Sequence, residues 1–146
     1  RSDTRLKDSI ALWKDREDFS HFTGWAASSL AALEAGSDGI IPSSANLVPR
    51  VYALLYRAAC KKDTRLGQRM QRISDELGDL YQQGRLLGDS LAALKAMAAT
   101  LELCGPYTLA PVYPLETGER LRLGELFQKY YAGIIPLLDT LQDYGK

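Results

Sequence analysis

GSDGIIPSSANLVP, residues 36–49, decides the fold. A helix-period run precedes it and another follows. Gly36 stands where the first helix would end, because a left-handed capping residue carries least strain without a Cβ. Asp38 and Gly39 make a turn. Ile40 and Ile41 form an apolar, β-branched run too short for a helix, which predicts a buried strand. Pro42 has no N–H for a sheet ladder, so regular pairing should fail there. Ser43, Ser44 and Asn46 form a polar tip, and Pro49 opens the next helix. Helix, tight turn, buried strand, polar tip, helix is the repeating unit of an α/β fold.

Upstream lies the other strand candidate, FSHFT at 19–23, ended by Gly24. His21, the sole histidine, falls within it. No second histidine and no cysteine partner accompanies it, so packing or a surface role is expected rather than catalysis or metal binding. Before the strand, Arg16, Glu17 and Asp18 form a charged turn. A first helix runs from a cap at Ser2 or Asp3 to about Lys14, with Leu6, Ile10 and Trp13 on one face. After Gly24 and Trp25, AASSLAALEA reads as a small-residue helix with Leu30 and Leu33 on its buried side.

Downstream, Val51, Leu54, Leu55 and Ala58 recur with helical spacing, flanked by Tyr52 and Tyr56. Lys61, Lys62 and Asp63 break that pattern. A long helix follows from about Thr64 to Gln82. Its stripe of Leu66, Met70, Ile73, Leu77, Leu80 and Tyr81 steps by threes and fours, like a coiled-coil seam. Such a stripe serves either the chain's own core or a subunit contact. After a loop at Gln83, Gly84 and Arg85, Asp89 or Ser90 caps a helix with Leu91, Leu94, Met97, Ala98 and Leu101 inward. Gly105 and Pro106 stop it. Residues 107–114 are too proline-rich for a helix and form an ordered connector carrying Leu109, Val112 and Tyr113. Glu116 or Thr117 starts the next helix, Gly133 interrupts it, and a last apolar helix is bent or begun at Pro136. Glu116 and Glu119 suit capping, and Arg120 and Arg122 a solvated face.

Composition narrows the function. The chain has 146 residues, 18 Lys plus Arg and 18 Asp plus Glu. One domain is the default. The zero balance gives no electrostatic case for nucleic acid, where phosphate neutralisation dominates binding. No apolar run approaches a bilayer span, so no membrane partner is expected, and there is no signal-peptide pattern. Cys60 and Cys104 lie in apparent helices without metal-ligand spacing, which suggests reduced thiols and a cytoplasmic location. No glycine loop cradles a phosphate, and neither a metal nor a cofactor is expected.

Taken in order, these stretches resemble one family. GSDGIIPSSANLVPRVYALLYRA at 36–58 is similar to the segment around the eighth strand of the dihydrodipicolinate synthase family, also called the N-acetylneuraminate lyase family. DFSHFTG at 18–24 is similar to its seventh strand, and the spacing from Gly24 to Gly39 and Asn46 fits without a gap. LAPVYPLETGERLRL at 109–123 follows the family's C-terminal order. The resemblance covers roughly residues 2–127.

The resemblance implies an α/β chain, the C-terminal portion of a (β/α)8 TIM barrel. Residues 1–60 would hold its last two strands and βα units, and 61–146 a C-terminal helical extension packed on the barrel. Family members are class I, Schiff-base aldolases and lyases that join a lysine to pyruvate or another 2-oxo acid. Ser2 and Asp3 look like the end of the small-acidic segment after that lysine, which places it two or three positions before Arg1. Lys7 mimics its surroundings, but a strand there leaves too few residues for a parallel crossover before Phe19. The residues implied at the substrate are Gly24 and Ile41 at strand ends, with Ser43 and Asn46 near the mouth. The implied partners are the small 2-oxo acid, an N-terminal half of the barrel and further copies in a homo-oligomer. The fragment alone would be inactive. The alternative is a non-enzymatic helical interaction module using the seam between Leu66 and Tyr81. Parallel, adjacent strands with Gly24 and Pro42 at one end favour the barrel.

A closed barrel needs eight strands, and the sequence offers two. Left alone, these would expose unpaired sheet edges, which promote association. The expectation is that residues upstream of Arg1, or a separate N-terminal piece, cover them. Residues 1–146 alone should therefore associate on sedimentation, and a monodisperse, cooperatively melting monomer would contradict this.

Overall fold

The computed structural model describes residues 3–144. Ser2 and the side chain of Asp3, the expected caps of the first helix, lie outside what is described. The elements are α1 (Asp3–Trp13), β1 (Phe22–Thr23), a 3-10 turn (Ala26–Ser28), α2 (Ser29–Glu34), β2 (Gly39–Ile40), a second 3-10 turn (Ser43–Asn46), α3 (Pro49–Cys60), α4 (Thr64–Gln82), α5 (Leu87–Thr100) and α6 (Thr117–Thr140). The chain divides within α4 into two compact units, Arg1–Asp75 and Glu76–Lys146.

In the first unit β1 and β2 pair in parallel, Phe22 opposite Gly39 and Thr23 opposite Ile40. Pairing ends with the Ile41 N–H donating to the Thr23 carbonyl at 2.8 Å, because Pro42 has no N–H to continue it. The strands are shorter than expected. Of residues 19–21 only the His21 carbonyl meets β2, accepting from the Gly39 N–H at 3.3 Å, and Phe19 stacks on Trp13 at 4.7 Å between ring centroids. Gly39 is not a turn residue but the first residue of β2. The Phe22 ring lies over it, where a Cβ would come within 2.5 Å of a ring carbon.

The strands leave their helices through recognisable caps. The Gly36 N–H donates to the Leu33 carbonyl at 3.1 Å and the Ser37 N–H to the Ala32 carbonyl at 2.9 Å. This is a Schellman cap, with Gly36 at φ +107°. The same pattern ends α3, where Lys62 and Asp63 donate to Ala59 and Ala58. It also ends α5, where Glu102 and Leu103 donate to Ala99 and Ala98. There the left-handed positions are held by Lys62 at φ +56° and Glu102 at φ +57°.

His21 ties α1 to the sheet. Its Nδ1 lies 3.0 Å from the Ser37 hydroxyl and its Nε2 lies 3.1 Å from the Ser9 hydroxyl. Ser37 gives its single proton to a backbone carbonyl, His21 at 2.9 Å or Gly39 at 3.1 Å. It must therefore accept from Nδ1–H, which leaves Nε2 to accept from Ser9. Both bonds suit the expected packing or surface role. The side chains of Val51, Leu54, Leu55 and Ala58 are buried as the spacing predicts, but Tyr52 is buried with them rather than flanking. In α4, Leu66, Met70, Ile73, Leu77 and Tyr81 are buried. The helix begins at a cap the sequence reading missed, the Asp63 carboxylate accepting from the Leu66 N–H at 3.0 Å.

The second unit departs further from expectation. α5 starts at Leu87, two residues before the expected caps, and ends at Thr100, before Gly105. Its buried face is Ala92, Ala93, Ala96, Met97 and Ala98, with Leu91 exposed. Small residues allow α5 and α6 to approach closely: a Cβ on Gly124 would meet the Thr100 methyl at 2.8 Å. α6 runs unbroken through Gly133 and Pro136. Glycine only weakens a helix, and the proline removes a single donor. Glu119 accepts from Arg85 at 2.7 Å. Cys104 lies beyond α5 rather than in a helix, and both cysteines are free and exposed. In the connector Val112 is half-buried against Gly88, while Leu109 is 88% exposed.

Gly36→Ala should lower stability by about 1 kcal/mol or more, since Ala is strained at positive φ. Lys62→Gly should raise it by up to about 1 kcal/mol by relieving the left-handed strain. Urea melts of both variants check the pair of signs.

Candidate functional site

The site lies where β1 and β2 end. Side chains alternate across a sheet with period two. Phe22, Gly24, Gly39 and Ile41 therefore point to one face, and Thr23 and Ile40 to the other. Thr23 is buried at the helix side and its hydroxyl accepts from the Trp25 N–H at 3.2 Å. The first face is open, with Phe22 55% and Ile41 66% exposed. A buried strand was expected here. Ile41 stands out on the open face instead, because nothing among the described residues covers that side.

The register sets Gly24 beside Ile41. A Cβ on Gly24 would lie 3.7 Å from the Ile41 carbonyl oxygen, an ordinary contact. Gly24 is not among the glycines with positive φ, which are Gly36 and Gly84. Neither backbone conformation nor a neighbour in this chain demands a glycine at this strand end.

Beyond Pro42 the second 3-10 turn carries the other two expected residues. Ser43 and Asn46 are both exposed, and the Asn46 amide donates to the Ser43 carbonyl at 2.9 Å. Ser44 was expected with them at a polar tip. It is fully buried, and its hydroxyl meets the Tyr52 hydroxyl at 2.5 Å. No periodicity in the sequence connects these two residues, so the contact could not be read from it. The structure thus brings Gly24 and Ile41 together, and separately Ser43 and Asn46, all at one end of the sheet. His21 is at the opposite end.

A pocket of about 540 Å³ runs between α1 and β1, lined by Arg5, Leu6, Ser9, His21 and Trp25 among others. It follows the edge of β1 that has no strand beside it among the described residues. Lys7 on α1 is exposed, as expected.

The four site residues carry no titratable group. Shifted groups lie elsewhere. The Arg16 guanidinium pairs with Asp18 and holds that carboxyl below its usual range. A hydrogen bond to Cys60 raises the Tyr56 phenol, and nearby charge and slight burial add to it. Among the described residues no cluster could hold a metal ion, and no helix is long and apolar enough to cross a membrane. The arrangement can shape a small ligand and offer it hydrogen bonds.

Comparison with known proteins decides the family. Residues 4–130 match the model of the dihydrodipicolinate synthetase family. The chain belongs to that family. A 4-hydroxy-tetrahydrodipicolinate synthase of Neisseria gonorrhoeae is 29% identical over 107 residues, which is 73% of this chain and 35% of that protein. Among solved structures, the dihydrodipicolinate synthase of Bacteroides thetaiotaomicron superposes with a TM-score of 0.79 at 26% identity, covering 88% of this chain and 43% of its own. YagE, a prophage protein of the dihydrodipicolinic acid synthase family from E. coli K12 in complex with pyruvate, gives 0.75 at 22% identity, covering 89% and 43%. The chain spans less than half the length of these relatives. Dihydrodipicolinate synthetases are lyases, and this chain is a partial homologue with the helix-dominated portion of their barrel.

Gly24→Ala in the full-length protein separates packing from function. With no positive φ and an ordinary contact at the Cβ, the melting midpoint should hold or rise slightly, since Ala loses less chain entropy on folding. Activity of the full-length protein should fall at least tenfold if the missing Cβ leaves room for a ligand, as displacements of about 1 Å cost about a hundredfold. Unchanged activity would remove Gly24 from the candidate site.

Proposed function

We propose that this chain supplies the last two βα units and the C-terminal helices of a (β/α)8 Schiff-base lyase acting on pyruvate or another 2-oxo acid, as in dihydrodipicolinate synthases. Residues 1–60 hold the barrel units and 61–146 the helical region. The observation that carries this is the parallel pair that sets Gly24 beside Ile41 at the C-terminal end of both strands. Active sites in such barrels are built at that end. The open face of Phe22, Gly24 and Ile41 suits a barrel interior, which other strands would close.

In the reaction, a neutral lysine amine attacks the carbonyl carbon of the 2-oxo acid and water leaves. The protonated imine then withdraws electrons from the adjacent carbon, so that a C–C or C–O bond forms or breaks. The lysine precedes Arg1 in the full-length protein. Gly24 leaves space for the substrate, Ile41 borders it, and Ser43 and Asn46 offer hydrogen bonds at the mouth. The fragment by itself is inactive, and the whole protein is cytoplasmic and homo-oligomeric. Burial of the α4 stripe favours this enzyme reading over a helical docking module, which would keep Leu66 and Tyr81 accessible.

Borohydride reduction in the presence of pyruvate should trap an adduct on the full-length protein and none on residues 1–146. Peptide mapping of the adduct to Lys7 would overturn the strand assignment.

A further inference from the structure

The turn Ser43–Asn46 must hold two exposed side chains in place although its own backbone bonds are few. Ala45 donates to Pro42 at 3.0 Å, and Leu47 and Val48 donate to the Ser44 carbonyl at 3.0 and 3.3 Å. Ser44 is therefore the turn's anchor through its main chain. Its side chain is a second anchor. The hydroxyl meets the Tyr52 hydroxyl on α3 at 2.5 Å, which in turn meets the Ser74 hydroxyl on α4 at 2.9 Å. All three residues are buried. Three hydroxyls in a row can each give and accept one bond, so their protons can point one way along the chain. Such a series is stronger away from water than its separate pairs.

We propose that Tyr52 is a positioning residue: its hydroxyl, braced by Ser74, holds Ser44 and so sets where Ser43 and Asn46 stand at the mouth. This rests on the reading of Ser43 and Asn46 as substrate contacts. The physical reason is the cost of a stranded hydroxyl. Without the phenol, the buried Ser44 hydroxyl loses the Tyr52 contact, and a buried unpaired hydroxyl is costly. The route to relief is outward, since the turn is at the surface and flanked by exposed Ser43 and Asn46. α3 is held independently by Val51, Leu54, Leu55 and Ala58, so the helix stays while the turn moves.

The test uses the full-length protein with pyruvate as the probe. Adduct yield after borohydride reduction is measured against pyruvate concentration, with amide exchange at Leu47 and Val48 and the melting midpoint. Tyr52→Phe keeps the ring and removes the hydroxyl. It should raise the half-saturating pyruvate concentration about fivefold, the worth of one hydrogen bond, with the saturating yield unchanged and exchange at Leu47 and Val48 faster. Ser44→Ala should act alike, and the double variant should be no worse than the stronger single one, as expected of residues acting through one contact. A lowered midpoint with unchanged pyruvate dependence would overturn the proposal and leave Tyr52 a packing residue. Ser43→Ala and Asn46→Ala tell the two readings apart. If these weaken pyruvate binding and Tyr52→Phe does not, positioning is wrong and the mouth stands. If neither weakens it, the mouth reading fails and the proposal with it.

Discussion

The bond from the Ile41 N–H to the Thr23 carbonyl, 2.8 Å long, fixes the register on which the site depends. A shift of one residue would turn every side chain of β2 to the other face. Ile40 would then meet the Phe22 ring, and Gly39 would face the helices, where Thr23 and Ile40 now pack. The native register is locked at both ends. Upstream, the Gly36 cap and the two N–H groups of Asp38 and Gly39 hold the His21 carbonyl and deliver β2 at a defined level. Downstream, Pro42 ends the ladder. Phe22 accepts only one opposite residue, because its ring occupies the space a Cβ would need. Short strands would otherwise be free to slip, and here four local features prevent it.

Much of this was legible in the sequence where pattern and backbone chemistry coincide. α3 and α4 begin at the expected residues because their apolar spacing is regular and Pro49 opens the former. The cap at Gly36 was legible because glycine advertises a left-handed position. The caps at Lys62 and Glu102 have the same hydrogen bonds and also a left-handed residue, yet their residue types announce nothing. They are held by the packing of the helices they end. The end of α5 was therefore placed too late, at the nearest glycine. Of its expected inner face Met97 and Ala98 are buried, but Leu91 is exposed, because the close packing falls to the alanines. In α6 the breakers Gly133 and Pro136 lost to continuity: Ile134 and Leu138 are buried on either side of the proline, and one missing donor is a smaller loss than giving up that burial.

The site divides in the same way. Gly24, Ile41, Ser43 and Asn46 were singled out through resemblance. Their adjacency comes from register, which a sequence reading could express only as a condition on the two strands. Ser44 was grouped with its polar neighbours by type, yet its side chain points inward to Tyr52, whose hydroxyl in turn meets Ser74. No local rule distinguishes the buried serine from the exposed one beside it in this turn. The difference is set by helices that arrive later in the chain.

Under the proposed function, the contribution of this chain to catalysis is one of surroundings rather than of reacting groups. An amine near pH 7 must lose its proton to act as a nucleophile, and desolvation is what lowers an ammonium group's pKa. The open face offers Phe22 and Ile41, both apolar, beside a glycine without side chain. A lysine held over that face would lose water on one side without gaining a carboxylate partner, since the four site residues carry no charge. Its neutral form would be favoured for that reason, and a planar imine there would need the room Gly24 leaves. Ser43 and Asn46 bring polar side chains to the rim, where they would hold the substrate without stabilising an ammonium ion below. An acidic side chain placed at the Ile41 position would reverse this order, binding the protonated lysine and slowing the attack it is meant to make.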